Sequence, residues 1–383
     1  MDYSMAVIWL IIAVACGLIE AGTIALVSVW FVIGAVVSFF MALIFPESIL
    51  LQIFVFILFS ILSLVFIRPV AKKYVDKYTV DGLLKRWPDT KYRDWYLGDW
   101  LAPMGVDAGN QASVDLVSNC FISECLSTMY KTALTLGNKE EAEEFAIRKE
   151  KLNKLIHQTF YRADEGIYST GSQLDMCYPM LVGVVPDSLY NKVKENVVMM
   201  TEEKHKGHIA VGLVGVPILT EWAVRNKQVD FFYQMMKKRD YPGYLYMIDH
   251  GATATWEYWS GERSRVHNCY NGIGTWFYQA VGGIRLDEAK PGYRHFYVDP
   301  QIPNGVIWAK VTKESPYGTI AVNWKLEDDN QLNLQLTVPA GTTATVCIPN
   351  NAVSCKKNKK KVSVKEQTVD VEAGHYDFLF NLK

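Results

Sequence analysis

The first 68 residues contain very few ionisable side chains, and this feature constrains the fold more than any other in the sequence. Residues 21–45 carry no charge, and residues 49–67 are interrupted only by Gln52, Ser60 and Ser63. A membrane-spanning helix needs about 20 consecutive apolar residues, and both stretches meet that requirement. Residues 5–19 are shorter and are a candidate for either a third span or a re-entrant segment. The sequence therefore predicts an all-α transmembrane segment over residues 1–75 that contacts the lipid bilayer through residues 5–67.

The charges that flank the apolar stretches predict an orientation for this segment. Asp2 replaces the basic start of a signal peptide, and the apolar region continues far beyond any cleavage point, which disfavours a cleaved leader. Arg68, Lys72 and Lys73 follow the last stretch directly. Positive residues accumulate on the cytoplasmic side of membrane spans, so the following segment is expected in the cytoplasm.

Three short motifs connect the apolar region with a known family. They are W-F-V-I-G-A at residues 30–35, L-Q-I-F at 51–54 and F-I-R-P at 66–69. On these motifs residues 1–75 resemble the NfeD-like family of small bacterial membrane proteins. The resemblance implies a location in the bacterial inner membrane.

From residue 76 onwards the sequence alternates apolar and polar residues with the periods of globular structure. Helical spacing covers residues 110–136, 138–160, 188–203, 209–226, 229–239 and 266–282. After residue 292 the period changes to two, over residues 306–311, 319–324, 332–338, 343–348 and 367–372. The sequence thus predicts a helical domain over residues 76–290 and an antiparallel β-sandwich over residues 291–383. The lysine-rich run at residues 356–361 is interpreted as a solvated hairpin tip, with contact to an anionic surface as the alternative.

Composition argues against several classes of partner and cofactor. The net charge is −1, so no basic surface field favours nucleic acid as a partner. The 7 cysteines and 7 histidines follow no zinc-ligand spacing, and reduced cysteine thiols are expected. The sequence indicates neither a metal site nor a cofactor.

Three motifs of the helical part carry residue types that suit a sugar site. In G-D-W-L-A-P, residues 98–103, Asp99 can bond sugar hydroxyls and Trp100 can cover the apolar face of a sugar ring. In H-G-A-T-A-T-W-E-Y-W, residues 250–259, Glu257 lies between Trp256 and Trp259, whose rings would exclude water from its carboxylate and so raise its pKa.

The third motif is R-S-R-V-H-N at residues 263–268, and it adds His267. Each motif taken alone also has a structural explanation. Asp99 could cap a helix, and Glu257 could pair with Arg263 or Arg265.

The order of these motifs identifies a second resemblance. They are followed by G-I-G-T-W-F-Y-Q-A-V-G-G-I, P-G-Y and K-E-S-P-Y-G-T-I. From about residue 81 to the C-terminus the chain is similar to bacterial α-L-rhamnosidases of glycoside hydrolase family 78. The resemblance implies an (α/α)6 barrel capped by a β-sandwich, and inverting hydrolysis of terminal α-L-rhamnosides in rhamnose-containing glycans. Glu257 would be the general base, and the substrate-binding residues would be Asp99, Trp100, Trp256, Trp259 and His267.

Inverting hydrolysis also requires a general acid, about 6.5–9.5 Å from the base. In the family this acid lies upstream of G-D-W, where this chain has only K-Y-R-D-W at residues 91–95, with Asp94 and no glutamate. We therefore expect a partial (α/α)6 barrel and impaired activity. The alternatives are a non-catalytic, membrane-anchored carbohydrate-binding protein, an NfeD-like membrane protein, and a gene-fusion artefact. The enzyme class favours a periplasmic location, whereas the flanking charges favour the cytoplasm.

Overall fold

The structure is a computed structural model that describes residues 4–23, 29–77, 79–85, 98–103, 111–327 and 330–383. The chain divides into two compact units, Met1–Lys85 and Arg86–Lys383. Asp94 and the rest of the motif at residues 91–95 lie outside the described residues.

The first unit contains three helices and a short hairpin. The helices are α1 (Ser4–Thr23), α2 (Val29–Ile44) and α3 (Ile49–Lys77), and the hairpin pairs β1 (Thr79–Val80) with β2 (Leu83–Leu84). α2 packs against both α1 and α3. A Cβ on Gly34 would lie only 2.6 Å from the Phe56 carbonyl oxygen, so α2 and α3 approach closely at that glycine.

Gln52 is the polar residue that interrupts the apolar sequence of α3, and the helices use its side chain. Its Oε1 accepts a hydrogen bond from Trp9 Nε1 at 3.0 Å, and its Nε2 donates to the Phe45 carbonyl at 3.0 Å. Ser38 Oγ donates to the Gln52 carbonyl at 3.0 Å. Buried polar groups need such partners, so Gln52 fixes α1 and the α2–α3 connection to one another.

The predicted transmembrane segment was wrong. No helix in the described part of the chain is both long enough and apolar enough to cross a membrane. α2, for example, has 16 residues, fewer than the roughly 20 that a span requires. The bilayer contact of residues 5–67 and the location in a bacterial inner membrane were inferred from that segment, and they are corrected with it.

The second unit begins with paired helices. They are α4 (Gln111–Thr135), α5 (Lys139–Phe160), α6 (Gln173–Leu181), α7 (Asp187–His205), α8 (Gly215–Arg225), α9 (Val229–Met236), α10 (Tyr244–Asp249) and α11 (Gly274–Trp276). A 3₁₀ turn, Asn271–Ile273, precedes α11, and a π-helical turn, Phe277–Val281, follows it. A small hairpin, β3 (Tyr161–Arg162) and β4 (Ile167–Tyr168), follows α5. α4, α6, α8 and α11 contact one another in that order, and α5, α7 and α9 pack against α4, α6 and α8 respectively. The helices thus form an inner and an outer layer.

Most of these helices coincide with the helical spacing in the sequence, but two predicted segments begin too early. The segment predicted over residues 209–226 becomes helical only at Gly215, and the one predicted over residues 266–282 only at Asn271. Both preceding stretches are loops held by contacts described below. These contacts are distant in sequence, so local periodicity does not reveal them.

Two sheets make up the C-terminal part. Their strands are β5 (Ile284–Leu286), β6 (His295–Val298), β7 (Trp308–Ser315), β8 (Gly318–Leu326), β9 (Gln331–Val338), β10 (Thr343–Cys347), β11 (Ala352–Lys357), β12 (Lys360–Val362), β13 (Thr368–Val371) and β14 (Gly374–Leu382). One sheet has the order β13-β10-β6-β5 and the other β12-β11-β14-β9-β8-β7. β10 runs parallel to β6, so the prediction of purely antiparallel pairing was wrong at this pair. The chain leaves the first sheet after β6, builds β7 to β9 in the second, and returns beside β6 in the same direction.

The six-stranded sheet buries alternate residues, as the period of two predicts. In β8 the buried residues are Ile320, Val322 and Trp324. Trp324 Nε1 donates to the Val281 carbonyl at 2.7 Å and so joins this sheet to the helical part. At the β11–β12 hairpin, Asn358 and Lys359 adopt positive φ angles of 49° and 68°, which a two-residue turn requires. The structure confirms a hairpin tip in the lysine-rich run.

Candidate active site

Asp99 belongs to the loop of residues 98–103, and its side chain is buried, with 4% exposed. Its Oδ2 accepts a hydrogen bond from Gly212 N at 2.7 Å, and its Oδ1 accepts one from Gly215 N at 2.9 Å. Burial raises the pKa of Asp99 to about 7; the backbone hydrogen bonds oppose this rise, and the Asp175 carboxylate adds to it. Both carboxyl oxygens are occupied by the start of α8, so the geometry makes Asp99 an anchor between two loops.

Trp100 and Gly212 bring the same two loops into backbone contact. Leu213 N donates to the Trp100 carbonyl at 2.8 Å. A Cβ on Gly212 would overlap the Trp100 carbonyl oxygen, so this approach requires glycine. The Trp100 side chain is 37% exposed, which leaves part of its ring accessible to a ligand.

Trp256 and Trp259 are each 1% exposed and pack inside the protein. Trp259 Nε1 donates to the Val211 carbonyl at 3.0 Å, and its ring stacks on Tyr270 with a centroid separation of 4.1 Å. The Trp256 ring lies under the Arg265 guanidinium, 5.0 Å from its centroid. The two indoles therefore support the loop that carries Glu257 from below.

Glu257 lies between Trp256 and Trp259 in the sequence, and in the structure it is half-buried. Its Oε2 accepts a hydrogen bond from Ser264 N at 3.3 Å, and its own N–H donates to the Ser264 carbonyl at 2.8 Å. In the part of the chain that the structure describes, Glu257 forms no ion pair. Arg263 instead lies over the Tyr258 ring, as Arg265 lies over Trp256, so neither arginine pairs with Glu257 as the structural explanation required. The carboxylate keeps capacity to accept further hydrogen bonds.

Tyr270 joins the loop of Glu257 to the loop of Asp99, and the sequence did not indicate it. Its hydroxyl lies 2.9 Å from the Leu101 carbonyl oxygen and 3.0 Å from the Glu257 carbonyl oxygen, and donates toward both. Burial raises the pKa of this hydroxyl, which keeps it a proton donor. Tyr244, on α10, donates from its own hydroxyl to the Tyr270 carbonyl at 2.8 Å. Tyr270 and Leu101 are 169 positions apart, and no local pattern marks such a contact.

His267 is exposed, in the loop before Asn271. Its N–H donates to the Thr255 carbonyl at 2.8 Å. With Ala254, Thr255, Val266 and neighbouring asparagines it lines an open groove of about 500 Å³. The structure thus brings the three sequence motifs together through hydrogen bonds, with Glu257, Trp100 and His267 retaining exposed surface.

Two larger cavities lie away from these residues. One of about 900 Å³ is bordered by α4, α5, α6 and α8, and one of about 660 Å³ lies on the six-stranded sheet. Neither is lined by a predicted site residue. Of the predicted site residues, only His267 lines the smaller groove.

Comparison with known families identifies the chain. Residues 68–281, more than half of its length, match the bacterial alpha-L-rhamnosidase 6 hairpin glycosidase domain, and residues 283–363 match the bacterial alpha-L-rhamnosidase C-terminal domain. The chain belongs to the bacterial α-L-rhamnosidase family. The match begins inside the segment that was predicted to be an NfeD-like membrane piece, and none of the comparisons supports that resemblance.

Individual members of the rhamnosidase family resemble the chain over about three quarters of its length. An α-L-rhamnosidase of Alteromonas sp. (strain LOR) is 27% identical over 300 residues, which cover 73% of this chain and 32% of the relative. One of Formosa agariphila is 28% identical over 308 residues, again covering 73% of this chain and 32% of the relative. The chain therefore spans about a third of the length of the curated relatives it matches.

Solved structures share the fold. The Streptomyces avermitilis α-L-rhamnosidase complexed with L-rhamnose superposes with a TM-score of 0.70 at 22% identity, over 80% of this chain and 29% of that one. The α-L-rhamnosidase from Dictyoglumus thermophilum gives a TM-score of 0.68 at 21% identity, over 74% of this chain and 34% of that one. At these identities the likeness concerns the fold alone.

Proposed function

We propose that this chain carries the sugar site of an α-L-rhamnosidase, which hydrolyses terminal α-L-rhamnosides with inversion and uses Glu257 as the general base. Membership of the rhamnosidase family supports the reaction class. The observation that carries the proposal is the Tyr270 hydroxyl, which bonds the backbone of Glu257 and of Leu101. This bond holds the candidate base and the G-D-W loop at a fixed spacing.

Glu257 would act by taking a proton from a water molecule as that water attacks the anomeric carbon. The hydrogen bond from Ser264 N to Oε2 fixes the orientation of the carboxylate. With no ion pair among the described residues, the carboxylate has accepting capacity left for water. Inversion also needs a carboxylic acid on the opposite side of the scissile glycosidic bond, about 6.5–9.5 Å from the base. Of these two groups, Glu257 of this chain is assigned as the base.

The remaining site residues would bind the sugar or shape its pocket. Trp100 offers a partly exposed ring for the C–H face of rhamnose, and His267 offers a ring nitrogen for a hydroxyl. Trp256 and Trp259, each 1% exposed, would shape the pocket by holding the loop of Glu257 in place from below. Asp99, with both oxygens bonded to backbone N–H groups, would hold the G-D-W loop against the start of α8. Rhamnose-containing glycans are the proposed substrates.

The test measures hydrolysis of p-nitrophenyl α-L-rhamnoside by the full chain and two variants. Glu257→Gln should lower kcat by at least about a hundredfold, the usual contribution of a general base. Glu262→Gln is the matched control, because Glu262 is an exposed glutamate in the same loop. Equal turnover by the wild type and Glu257→Gln would refute the role of Glu257.

Calorimetric titration with L-rhamnose separates binding from chemistry. Glu257→Gln should retain binding, since the carboxylate acts on water rather than on the bulk of the sugar. Binding by the wild type without any turnover would instead favour a carbohydrate-binding module. Absence of both binding and turnover would reject the sugar site.

A further inference from the structure

The outward face of the six-stranded sheet forms a groove of about 660 Å³, within the size range of ligand sites. The groove is separate from the residues assigned to hydrolysis. Four neighbouring strands, β7, β8, β9 and β14, supply its floor, and the β11–β12 hairpin borders it with Asn358 and Lys359. The opposite face of these strands carries the buried core.

Two rows of side chains run across the floor of this groove. In the first row Lys310 pairs with Asn323, Asn323 with Gln335, and Gln335 with Asp377 in the strand register. At the usual strand spacing this row runs about 14 Å across the sheet. It places along one line amide groups, which donate and accept hydrogen bonds, and the Asp377 carboxylate, which accepts them.

The second row starts at Trp308, on the edge strand β7, and continues through Lys325 to Asn333. Trp308 is 58% exposed, which is unusual for the largest apolar side chain. An aromatic ring beside a line of amides can cover the C–H face of a sugar while the amides bond its hydroxyls.

The groove is also bordered by positive charge. From the lysine-rich β11–β12 hairpin, Lys359 lines the groove, and it forms no ion pair with another described residue. Lys310 likewise has no ion pair within the described ranges, whereas Lys325 is paired with Glu327 at 3.5 Å. Asp377 accepts a hydrogen bond from Gln335 Nε2 at 3.3 Å. Unpaired lysines around a groove favour an anionic ligand.

We propose that this groove binds a glycan chain that bears carboxylate groups. One sugar would lie on Trp308, its neighbours would bond Asn323, Asn333 and Gln335, and their carboxylates would face Lys310 and Lys359. The site would hold a polymeric substrate near the chain without taking part in hydrolysis.

A glycan fits the groove better than a nucleic acid does. The chain as a whole has a net charge of −1, so it lacks the extended basic field that follows a phosphate backbone. The described lining contains a single exposed tryptophan rather than a series of aromatic rings on which successive bases could stack. Nucleic acid is therefore an outcome that the experiment must distinguish.

The experiment is native affinity electrophoresis of the full chain in gels that contain polygalacturonate, alginate, or neutral galactomannan. Retardation is expected in the two acidic gels and should weaken as salt is raised, because the Debye length falls from about 30 Å at 0.01 M to about 8 Å at 0.15 M. No retardation in either acidic gel would overturn the proposal. Equal retardation in galactomannan would overturn the role of the carboxylates.

Two matched pairs of variants locate the site. Trp308→Ala should weaken retardation about tenfold, equivalent to about 1.4 kcal/mol, whereas Ile307→Ala should not, since Ile307 is 59% exposed but does not line the groove. The double variant Lys310→Ala/Lys359→Ala should also weaken retardation. Lys151→Ala should not, because Lys151 lies on the exposed side of α5.

The result that would contradict this location is equal retardation of Trp308→Ala and the wild type. A single-stranded DNA probe that is bound more tightly than either acidic glycan, and is released by Trp308→Ala, would assign the groove to nucleic acid and reject the glycan. Because all the replaced side chains are exposed, each variant should keep the thermal midpoint of the wild type. Thermal unfolding therefore separates lost binding from lost folding.

Discussion

The buried carboxyl group of Asp99 predicts how the stability of the second unit depends on pH. Burial raises its pKa from 3.8 to about 7 in the folded protein. Between these two values the folded state holds a proton that the unfolded state has lost. The contribution of Asp99 to the free energy of unfolding should therefore be highest below about pH 4, fall between pH 4 and pH 7, and level off above pH 7.

The size of this change follows from the two pKa values. At about 1.36 kcal/mol for each pH unit between them, Asp99 accounts for a loss of roughly 4 kcal/mol between pH 4 and pH 8. Burial also raises the pKa of Asp175, which accepts hydrogen bonds from Ser113 and Thr170, so Asp175 changes stability in the same direction. Asp99→Asn should remove the part of the pH dependence that Asp99 causes and leave the part that Asp175 causes.

The assay is urea unfolding followed by tryptophan fluorescence at intervals from pH 4 to pH 8. Asp99→Asn should show a much flatter pH dependence than the wild type. Asp164→Asn is the control, because Asp164 is exposed in the turn between β3 and β4, and it should follow the wild type. A pH dependence of Asp99→Asn as steep as that of the wild type would show that Asp99 is not the group that causes it.

Three further substitutions test the contacts around the candidate site. Tyr270→Phe removes the hydroxyl bonded to Leu101 and Glu257 and should lower the free energy of unfolding by about 1–2 kcal/mol. Amide hydrogen exchange of residues 98–103 should become faster in this variant. Tyr244→Phe also loses a part-buried hydroxyl bond, but it should leave that exchange unchanged. Gly212→Ala should lower the thermal midpoint markedly because its Cβ overlaps the Trp100 carbonyl. Gly274→Ala should raise the midpoint slightly, since its Cβ meets nothing within 4 Å and alanine favours a helix by about 1 kcal/mol.

The regular elements of the second unit could be predicted where burial is local and periodic. The spacing over residues 138–160 corresponds to α5, and the alternation over residues 332–338 corresponds to β9. The position of Asn138 at the start of α5 was also right, but its side chain bonds Glu141 rather than the helix backbone. Local sequence therefore located the helix end without giving its hydrogen bonds.

The N-terminal helices were misassigned for a physical reason. Apolar composition does not distinguish a membrane span from helices that pack against one another, and the sequence gives no sign that Gln52 accepts a bond from Trp9 across 43 positions. Interruptions such as Gln52 and Ser60 were treated as tolerated exceptions, although Gln52 is a buried structural link.

The candidate site could be predicted only in part, because local sequence does not indicate contacts between distant residues. Motif order indicated the loops that meet, and the role of Glu257 as the general base stays a prediction from the family resemblance. The sequence could not reveal that Asp99 bonds Gly212 and Gly215 or that Tyr270 bonds Leu101, since these contacts join residues more than 100 positions apart.

The stereochemistry of hydrolysis shows whether Glu257 activates a water molecule as the base of an inverting reaction. Proton NMR of the full chain acting on p-nitrophenyl α-L-rhamnoside identifies the anomer that forms first. A base that activates water on the opposite face of the sugar predicts β-L-rhamnose as the first product, and loss of that product in Glu257→Gln. First formation of α-L-rhamnose, or undiminished product from Glu257→Gln, would contradict the account.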